Sequence, residues 1–359
     1  MELETNVAVP ATAEAKPKAA TKRARASKKT APSAAASLIN ALKFAKVAQS
    51  KAGTIGQQHC MITGGWLAAT NGTLTVGCKI EEDLSACPHS TNLLEALLKC
   101  GQELNITQLT ANTLSVKSGV FKALIPCVSF AELEISAPDA QIAAIDDRLK
   151  AAIECVLPLA TDGAPNAVFA SVLLQAGTAV ATNGAALLEC WHGIDLPPGM
   201  MLPKASAAAI AKAGKPLTGF GYSGASATFY YEDGSFIKTQ LFNERYPHYA
   251  LLLDVATNPW ALPEGFFTAV HSIENFSRNG VVYFDESMVS SHEHETEAST
   301  YQIEGLPHGM AFNSKYLAML EHAFIKADFN KEANKVWFFG ENSRGVLMAV
   351  DSTKDDIPF

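Results

Sequence analysis

The sequence predicts an α+β protein built from three repeats of one module, each with two helices packed on antiparallel strands. Two observations predict this. The tetrapeptide Ala69-Thr70-Asn71-Gly72 returns as Ala181-Thr182-Asn183-Gly184, 112 positions later. Helix-patterned runs also begin at Leu38, Leu149 and Phe266, spaced by 111 and 117 residues. Each is followed by a second helical run near Thr91, Lys204 or Asn313, and then by a strand opening on Gly119, Gly234 or Gly345. Self-similarity at a fixed period marks a repeated supersecondary unit, here longer than an ordinary solenoid repeat. A chain of 359 residues also exceeds one typical core and suits several domains. The expected boundaries are a disordered basic tail over 1–34, modules over 35–137, 138–255 and 256–350, and an acidic tail over 351–359.

In the first module, a helix from about Ser37 to Gln49 places Leu38, Leu42 and Ala45 on one face and Asn40, Lys43 and Lys46 on another. Met61 to Glu81 alternates as hairpin strands do around Asn71-Gly72, a pair expected to supply the two positive-φ positions of a tight turn. The second helix, Thr91 to Cys100, is expected to bury Leu93, Leu94, Leu97 and Leu98, with Lys99 outside.

The second module opens with Leu149, Ala152, Ile153 and Val156 on one helical face, Arg148 and Lys150 lying off it. Its alanine-rich second helix carries Lys204, Lys212 and Lys215 in an expected basic stripe. Strands Ala227–Tyr231 and Phe236–Phe242 flank the turn Glu232-Asp233-Gly234. In the third module, Phe267, Val270 and Ile273 mark the first helix and Tyr316, Leu317, Leu320 and Phe324 the second, with Lys315, His322 and Lys326 on its exposed side.

Composition narrows the functions. No run reaches the roughly 18 apolar residues of a membrane span, and the N-terminus lacks an apolar signal core, so a soluble, cytoplasmic protein is expected. Seven cysteines in odd number, with no Cys-x-x-Cys, read as reduced thiols. Residues 1–33 carry seven basic side chains against three acidic ones, a net +4, which leaves −12 on the remainder of a chain whose total is −8. Such a tail suits loose, salt-sensitive attraction to nucleic acid.

Catalytic signatures do not assemble. Gly219-Phe220-Gly221-Tyr222-Ser223-Gly224 fits a dinucleotide fingerprint as a bare pattern but runs into a strand where a helix is required. His292 and His294 have spacing compatible with a metal on one strand face, yet no third ligand is evident. Two alternatives stand beside the leading reading: a metal-dependent enzyme at His292/His294, and a nucleic-acid-coating protein that uses the basic tail.

Several segments resemble the bacterial and phage-type β sliding clamp, the processivity subunit of the replicative DNA polymerase. Val180-Ala181-Thr182-Asn183-Gly184-Ala185-Ala186-Leu187 is similar to that family's V-A-T-D-G-H-R-L, and Arg245-Tyr246-Pro247-His248-Tyr249 to its R-F-P-D-Y. Leu202-Pro203-Lys204 resembles V-P-R-K, and Phe312-Asn313-Ser314-Lys315-Tyr316-Leu317 resembles F-N-x-x-Y-L. The resemblance spans roughly residues 35–350. It implies a non-catalytic, cofactor-free protein without metal, closed into a ring as a head-to-tail homodimer. Geometry agrees: helices packed roughly 10 Å apart give a ring about 19 Å across from six and about 38 Å from twelve, against a duplex about 20 Å wide.

The resemblance also implies partners and sites. The partners are double-stranded DNA held without sequence preference, the replicative DNA polymerase, a clamp loader and a second copy of the chain. Lys43, Lys46, Lys99, Arg148, Lys150, Lys204, Lys212, Lys215, Lys315 and Lys326 would face DNA, and Ile273 and Phe276 the second copy. A client-peptide cleft would involve Phe169, Thr182, Asn183, Gly184, Ala185, Leu187, Pro247, Leu251, Leu252, Val346, Met348 and Ala349. Departures from the family pattern at Asn183, Ala185, Ala186 and Ala349 imply a less polar cleft, and the Ile357-Pro358-Phe359 tip is a candidate competitor for it.

Overall fold

The structure is a computed structural model that describes residues 35–50, 52–277, 279–293, 298–332 and 334–350. The first module runs α1 (Ala36–Ala45), α2 (Ile55–Gln58), β1 (Met61–Thr63), β2 (Trp66–Thr70), β3 (Leu74–Lys79), β4 (Cys87–Pro88), α3 (Ser90–Leu98), β5 (Asn105–Thr110), β6 (Thr113–Ser118) and β7 (Phe121–Val128). The linking strand β8 (Gln141–Ala144) leads into α4 (Asp147–Val156), β9 (Ser171–Leu174), β10 (Thr178–Thr182), β11 (Ala186–Trp191), β12 (Met200–Pro203), α5 (Lys204–Ala211), β13 (Leu217–Tyr222), β14 (Ser226–Tyr231) and β15 (Phe236–Gln240). A second link, α6 (Ala250–Leu253) and β16 (Trp260–Ala261), precedes α7 (Phe266–Glu274), β17 (Val281–Asp285), β18 (Met288–Ser290), β19 (Thr300–Gln302), β20 (Met310–Asn313), α8 (Ser314–Leu320), β21 (Lys326–Glu332), β22 (Lys335–Phe339) and β23 (Ser343–Met348). Apart from the short α2, each module therefore reads helix, four strands, helix, three strands.

The helices start where the sequence can cap them. Asp146 accepts the Arg148 N–H at 2.9 Å ahead of α4, and Asn313 accepts the Lys315 N–H at 3.0 Å ahead of α8. Leu38, Leu42 and Ala45 of α1, Leu149, Ala152, Ile153 and Val156 of α4, and Phe266, Ala269, Val270 and Ile273 of α7 are all buried against their own sheets. These periodic apolar stripes fix which side each helix turns to the core. One expectation fails here, because Leu98, the last residue of α3, is 57% exposed while Ala96 takes its place in the core.

All strand pairs are antiparallel, and the sheets ignore module boundaries. One has the order β1-β2-β3-β15-β14-β13-β8 and another β12-β9-β10-β11-β23-β22-β21-β16. The first seam pairs β3 with β15, from Gly77 opposite Phe236 to Leu74 opposite Thr239. The second pairs β11 with β23, from Ala186 opposite Leu347 to Cys190 opposite Ser343. In both, the third strand of one module joins the last strand of the next. The helices follow the same rule across the seams. Lys215, just beyond α5, sits 4.1 Å over the Phe44 ring of α1, and His322, just beyond α8, lies 2.8 Å from the Cys155 carbonyl of α4.

Two smaller sheets, β19-β18-β17-β20 and β4-β7-β6-β5, close the ends of the chain. By the seam rule β19 and β7 should each pair with a neighbouring module. Among the described residues they do not: β19 is a sheet edge, and β4 covers β7 only at Cys127 and Val128.

Candidate functional site

Both Thr-Asn-Gly turns use the same hydrogen bonds. The Asn183 side-chain oxygen accepts the Ala185 and Ala186 N–H groups at 3.0 and 2.8 Å, while Thr182 Oγ1 accepts from Gly184 N at 3.1 Å and donates to the Ala186 carbonyl at 2.7 Å. In the first module Asn71 accepts from Thr73 and Leu74 at 3.1 and 2.8 Å, and Thr70 bonds Gly72 N and the Leu74 carbonyl at 3.1 and 3.0 Å. Only the glycines take positive φ, +91° at Gly72 and +90° at Gly184. The expectation of two positive-φ positions per turn is therefore corrected: a three-residue connection lets the asparagine act as an acceptor for successive amides, an Asx turn.

The second turn stands over a separate hydrophobic cluster that includes Leu173, Val180, Leu187, Met201, Leu253, Trp337 and Val346. Leu187 and Val346 face each other across the β11–β23 seam, and each is 5% exposed. Phe169 lies so close to Gly184 that an added Cβ would stand 3.3 Å from its Cζ. Met348 N–H donates to the Ala185 carbonyl at 2.8 Å, which ties the end of β23 to the turn. Thr182 is buried, and Asn183, Ala185 and Ala349 are half-buried. Leu251, Leu252 and Met348 are exposed apolar side chains, Leu251 at 79%, and Pro247 is exposed on the same link as the two leucines.

A clasp absent from the sequence reading holds that link. Arg344 donates to the buried Glu189 carboxylate at 2.7 Å and reaches Asp254 at 2.9 Å. Tyr249 donates its hydroxyl to the other Glu189 oxygen at 3.0 Å. Burial, then the adjacent Glu189 charge, pushes the Tyr249 phenol up to about 12, so it remains a donor at neutral pH. Trp337 Nε1 donates to the Leu252 carbonyl at 2.8 Å. The available signal was Glu189 itself, a carboxylate inside the otherwise apolar run of β11, where burial demands a partner.

The cationic residues divide. Lys43, Lys46, Lys99, Lys212 and Lys315 are exposed on or at the ends of helices. Arg148 pairs with Asp146 at 2.9 Å, Lys204 with Asp162 at 3.1 Å, and Lys150 lies 3.8 Å from Asp147. Lys215 is bound to Asp233 at 2.6 Å and to Ser235 at 2.9 Å, beyond the end of α5, so the basic stripe does not form as one helical row. Lys326 is exposed on β21, and His322 lies in a short 3₁₀ turn; the shared helical face expected for Lys315, His322 and Lys326 is corrected because α8 stops at Leu320.

Ile273 is only 3% exposed and belongs to its own module's core, so it is not available to a second copy, whereas Phe276 is 63% exposed. The Gly219–Gly224 segment forms the β13–β14 hairpin. His292 is exposed beyond β18, His294 lies outside the described residues, and no three His, Cys, Asp or Glu side chains cluster for a metal among those described. No described helix is long and apolar enough to cross a membrane. The basic tail and the Ile357-Pro358-Phe359 tip also lie outside the described residues.

No family model matches the sequence, and no curated protein does. Solved structures do match in fold. The DNA polymerase III β subunit of Pseudomonas aeruginosa is similar over 88% of this chain and 97% of its own, with TM-score 0.73 and 12% identity. The DNA polymerase sliding clamp of Bacillus subtilis matches over the same shares at TM-score 0.74 and 14% identity. That of Caulobacter crescentus covers 88% and 98% at TM-score 0.71 and 16% identity. The chain thus has the β-clamp fold, with helices packed on antiparallel sheets.

Proposed function

We propose that this chain is a DNA sliding clamp: two copies join head to tail into a ring around duplex DNA and tether a replicative polymerase and other clients without catalysing a reaction. The seam rule carries the reading. Within the chain, the third strand of a module pairs with the last strand of the next, twice. The third module's β19 and the first module's β7 are the two strands left without that partner, and they sit at opposite ends of the repeat. A second copy supplies each with its complement, and two such seams close six modules. Unpaired edges of this kind are templates for strand addition. The same rule sets α7 of one copy beside α3 of the other, near the exposed Phe276 and Leu98.

In the closed ring the helices line the hole. Exposed Lys43, Lys46, Lys99, Lys212 and Lys315 meet phosphates, which positions DNA without reading bases and permits sliding. The turn at Thr182–Gly184, the Leu187–Val346 floor and the exposed Leu251, Leu252 and Met348 receive an apolar client segment. A clamp loader opens a seam, and the assembly works in the cytoplasm. The test is particle imaging of the purified protein at micromolar concentration. A closed ring of six modules, with a hole of about 35–40 Å as expected for twelve packed helices, supports the proposal. Single crescents at every concentration, with no protection of circular DNA from dissociation, oppose it.

A further inference from the structure

The 112-residue repeat reaches further than the turn. Four residues of the candidate client cleft, Phe169, Thr182, Gly184 and Leu187, stand 112 positions after Gln57, Thr70, Gly72 and Thr75. Those four line a groove of about 1060 Å³ at the seam of the first and second modules. The frame is copied in detail. Gln57 Nε2 lies 3.6 Å from the place a Cβ on Gly72 would occupy, as Phe169 lies against Gly184. The link that follows β7 borders this groove through Ala131–Ser136. The link that follows β15 has the same relation to the later turn.

What differs is the chemistry. Phenylalanine becomes Gln57 and leucine becomes Thr75, while the seam residue opposite Thr75 is Lys238, where the later seam has Val346. Lys238 is consumed locally, donating to Asp139 at 3.1 Å and to the Ala137 carbonyl at 2.8 Å. The charged groups that line the groove are Glu132 and Glu134, both exposed and both acidic. An apolar anchor gains little on such a surface, whereas an extended, polar, basic segment gains backbone hydrogen bonds and charge pairing.

We propose that this groove is a second docking site and that its occupant is the chain's own basic segment, residues 16–29. That segment holds Lys16, Lys18, Lys22, Arg23, Arg25, Lys28 and Lys29 with no acidic residue among them. It joins the described chain at Ala35, at the start of α1 in the module that supplies Gln57, Gly72 and Glu132. Lys29 and Lys16 stand six and nineteen residues before Ala35, spans of up to roughly 20 and 65 Å when extended, and tethering raises the local concentration of the segment to about the millimolar range. The groove then holds the tail away from nucleic acid until a polyanion competes for it.

The test uses the full chain without DNA, so that its failure is separable from failure of the ring reading. A photo-crosslinking p-benzoylphenylalanine replaces Ile55, which is 59% exposed at the groove rim. Irradiation followed by peptide mass spectrometry is expected to yield adducts within residues 16–29. The pair Glu132→Gln and Glu134→Gln should lower their yield about fivefold, two weak exposed ion pairs being lost. Glutamine at 132 preserves the capping box that Glu132 makes with Ser129, so the link stays folded. Raising salt from about 0.05 to 0.5 M should have a similar effect by screening. As a second variant, Gln57→Phe with Thr75→Leu gives the groove the later cleft's apolar lining and should also reduce tail adducts. A folded protein without tail adducts, or adducts indifferent to both charge removal and salt, would overturn the assignment.

Discussion

The proposed head-to-tail ring predicts a measurable weakening of self-association when Phe276 is replaced by aspartate. Phe276 is 63% exposed in the single chain, whereas Phe266, Phe312 and Phe338 lie in the core. A phenylalanine side chain presents roughly 200 Å², so covering about 60% of it at ~25 cal/mol/Å² is worth about 3 kcal/mol. The closed dimer has two identical seams, so the substitution removes the term twice, about 6 kcal/mol in all, and raises the dissociation constant about 10,000-fold. Leu98→Asp, on the complementary end at 57% exposure, should lose about 1.5 kcal/mol per seam, about 3 kcal/mol in all, or roughly 100-fold. Sedimentation equilibrium over a concentration series measures both. Leu251→Asp is the control, because Leu251 is more exposed still, at 79%, but lies beside the cleft and away from the open ends. If Phe276→Asp associates like the parent while Leu251→Asp does not, the strand and helix correspondence between internal and open seams is wrong.

Gly184→Ala and Gly72→Ala should both destabilise the chain by about 1–3 kcal/mol, because each forces an L-residue to a φ near +90°. Only the first should also displace Phe169, detectable as altered binding of an apolar client peptide with the Gly72 variant unchanged. Arg344→Ala leaves the buried Glu189 carboxylate without its cation and should cost about 3–5 kcal/mol in denaturant titration; Glu189→Gln with Arg344→Met should recover most of that loss. His271 ties α7 to the 3₁₀ turn that follows α8, 3.0 Å from Glu321 there and 3.6 Å from Glu274 of α7 itself. Its hydrogen bond to Glu321 is the main cause that raises its pKa above the ordinary histidine value. The stabilisation is therefore complete below that ordinary value, near 6.5, and is lost as pH rises through the raised one. His271→Gln should flatten the slope of stability against pH in that window, and an unchanged slope would remove the assignment.

The fold was legible because its signals are periodic and local. The stripes at Leu38, Leu149 and Phe266, and the paired Thr-Asn-Gly turns, encode burial and turn chemistry within a few residues. Sites that depend on chain termini or on pairing across distance were less legible. Leu98 fits the apolar stripe of α3, yet it is the last residue of that helix and the described residues leave it 57% exposed. Ile273 has the apolar character an interface needs, but in α7 it continues the stripe of Phe266, Ala269 and Val270 into the core. Lys326 has suitable spacing for a helical face, but the helix stops before it and the next residues pair as a strand. Glu189 and Arg344 lie 155 positions apart in sequence, and only the register of β11 against β23 places them side by side.

The same register explains why one frame can carry two chemistries. A seam strand turns alternate residues to the same face. Exchanging Leu187 and Val346 for Thr75 and Lys238 therefore changes the surface beside the turn without touching the backbone bonds that hold it. Turn and seam are repeated because they close the fold, whereas the side chains that floor the surface beside them are free to diverge. That separation makes a polar groove and an apolar cleft expected products of one repeat, and it makes exchange of those side chains, rather than of the turns, the perturbation that should exchange their ligands.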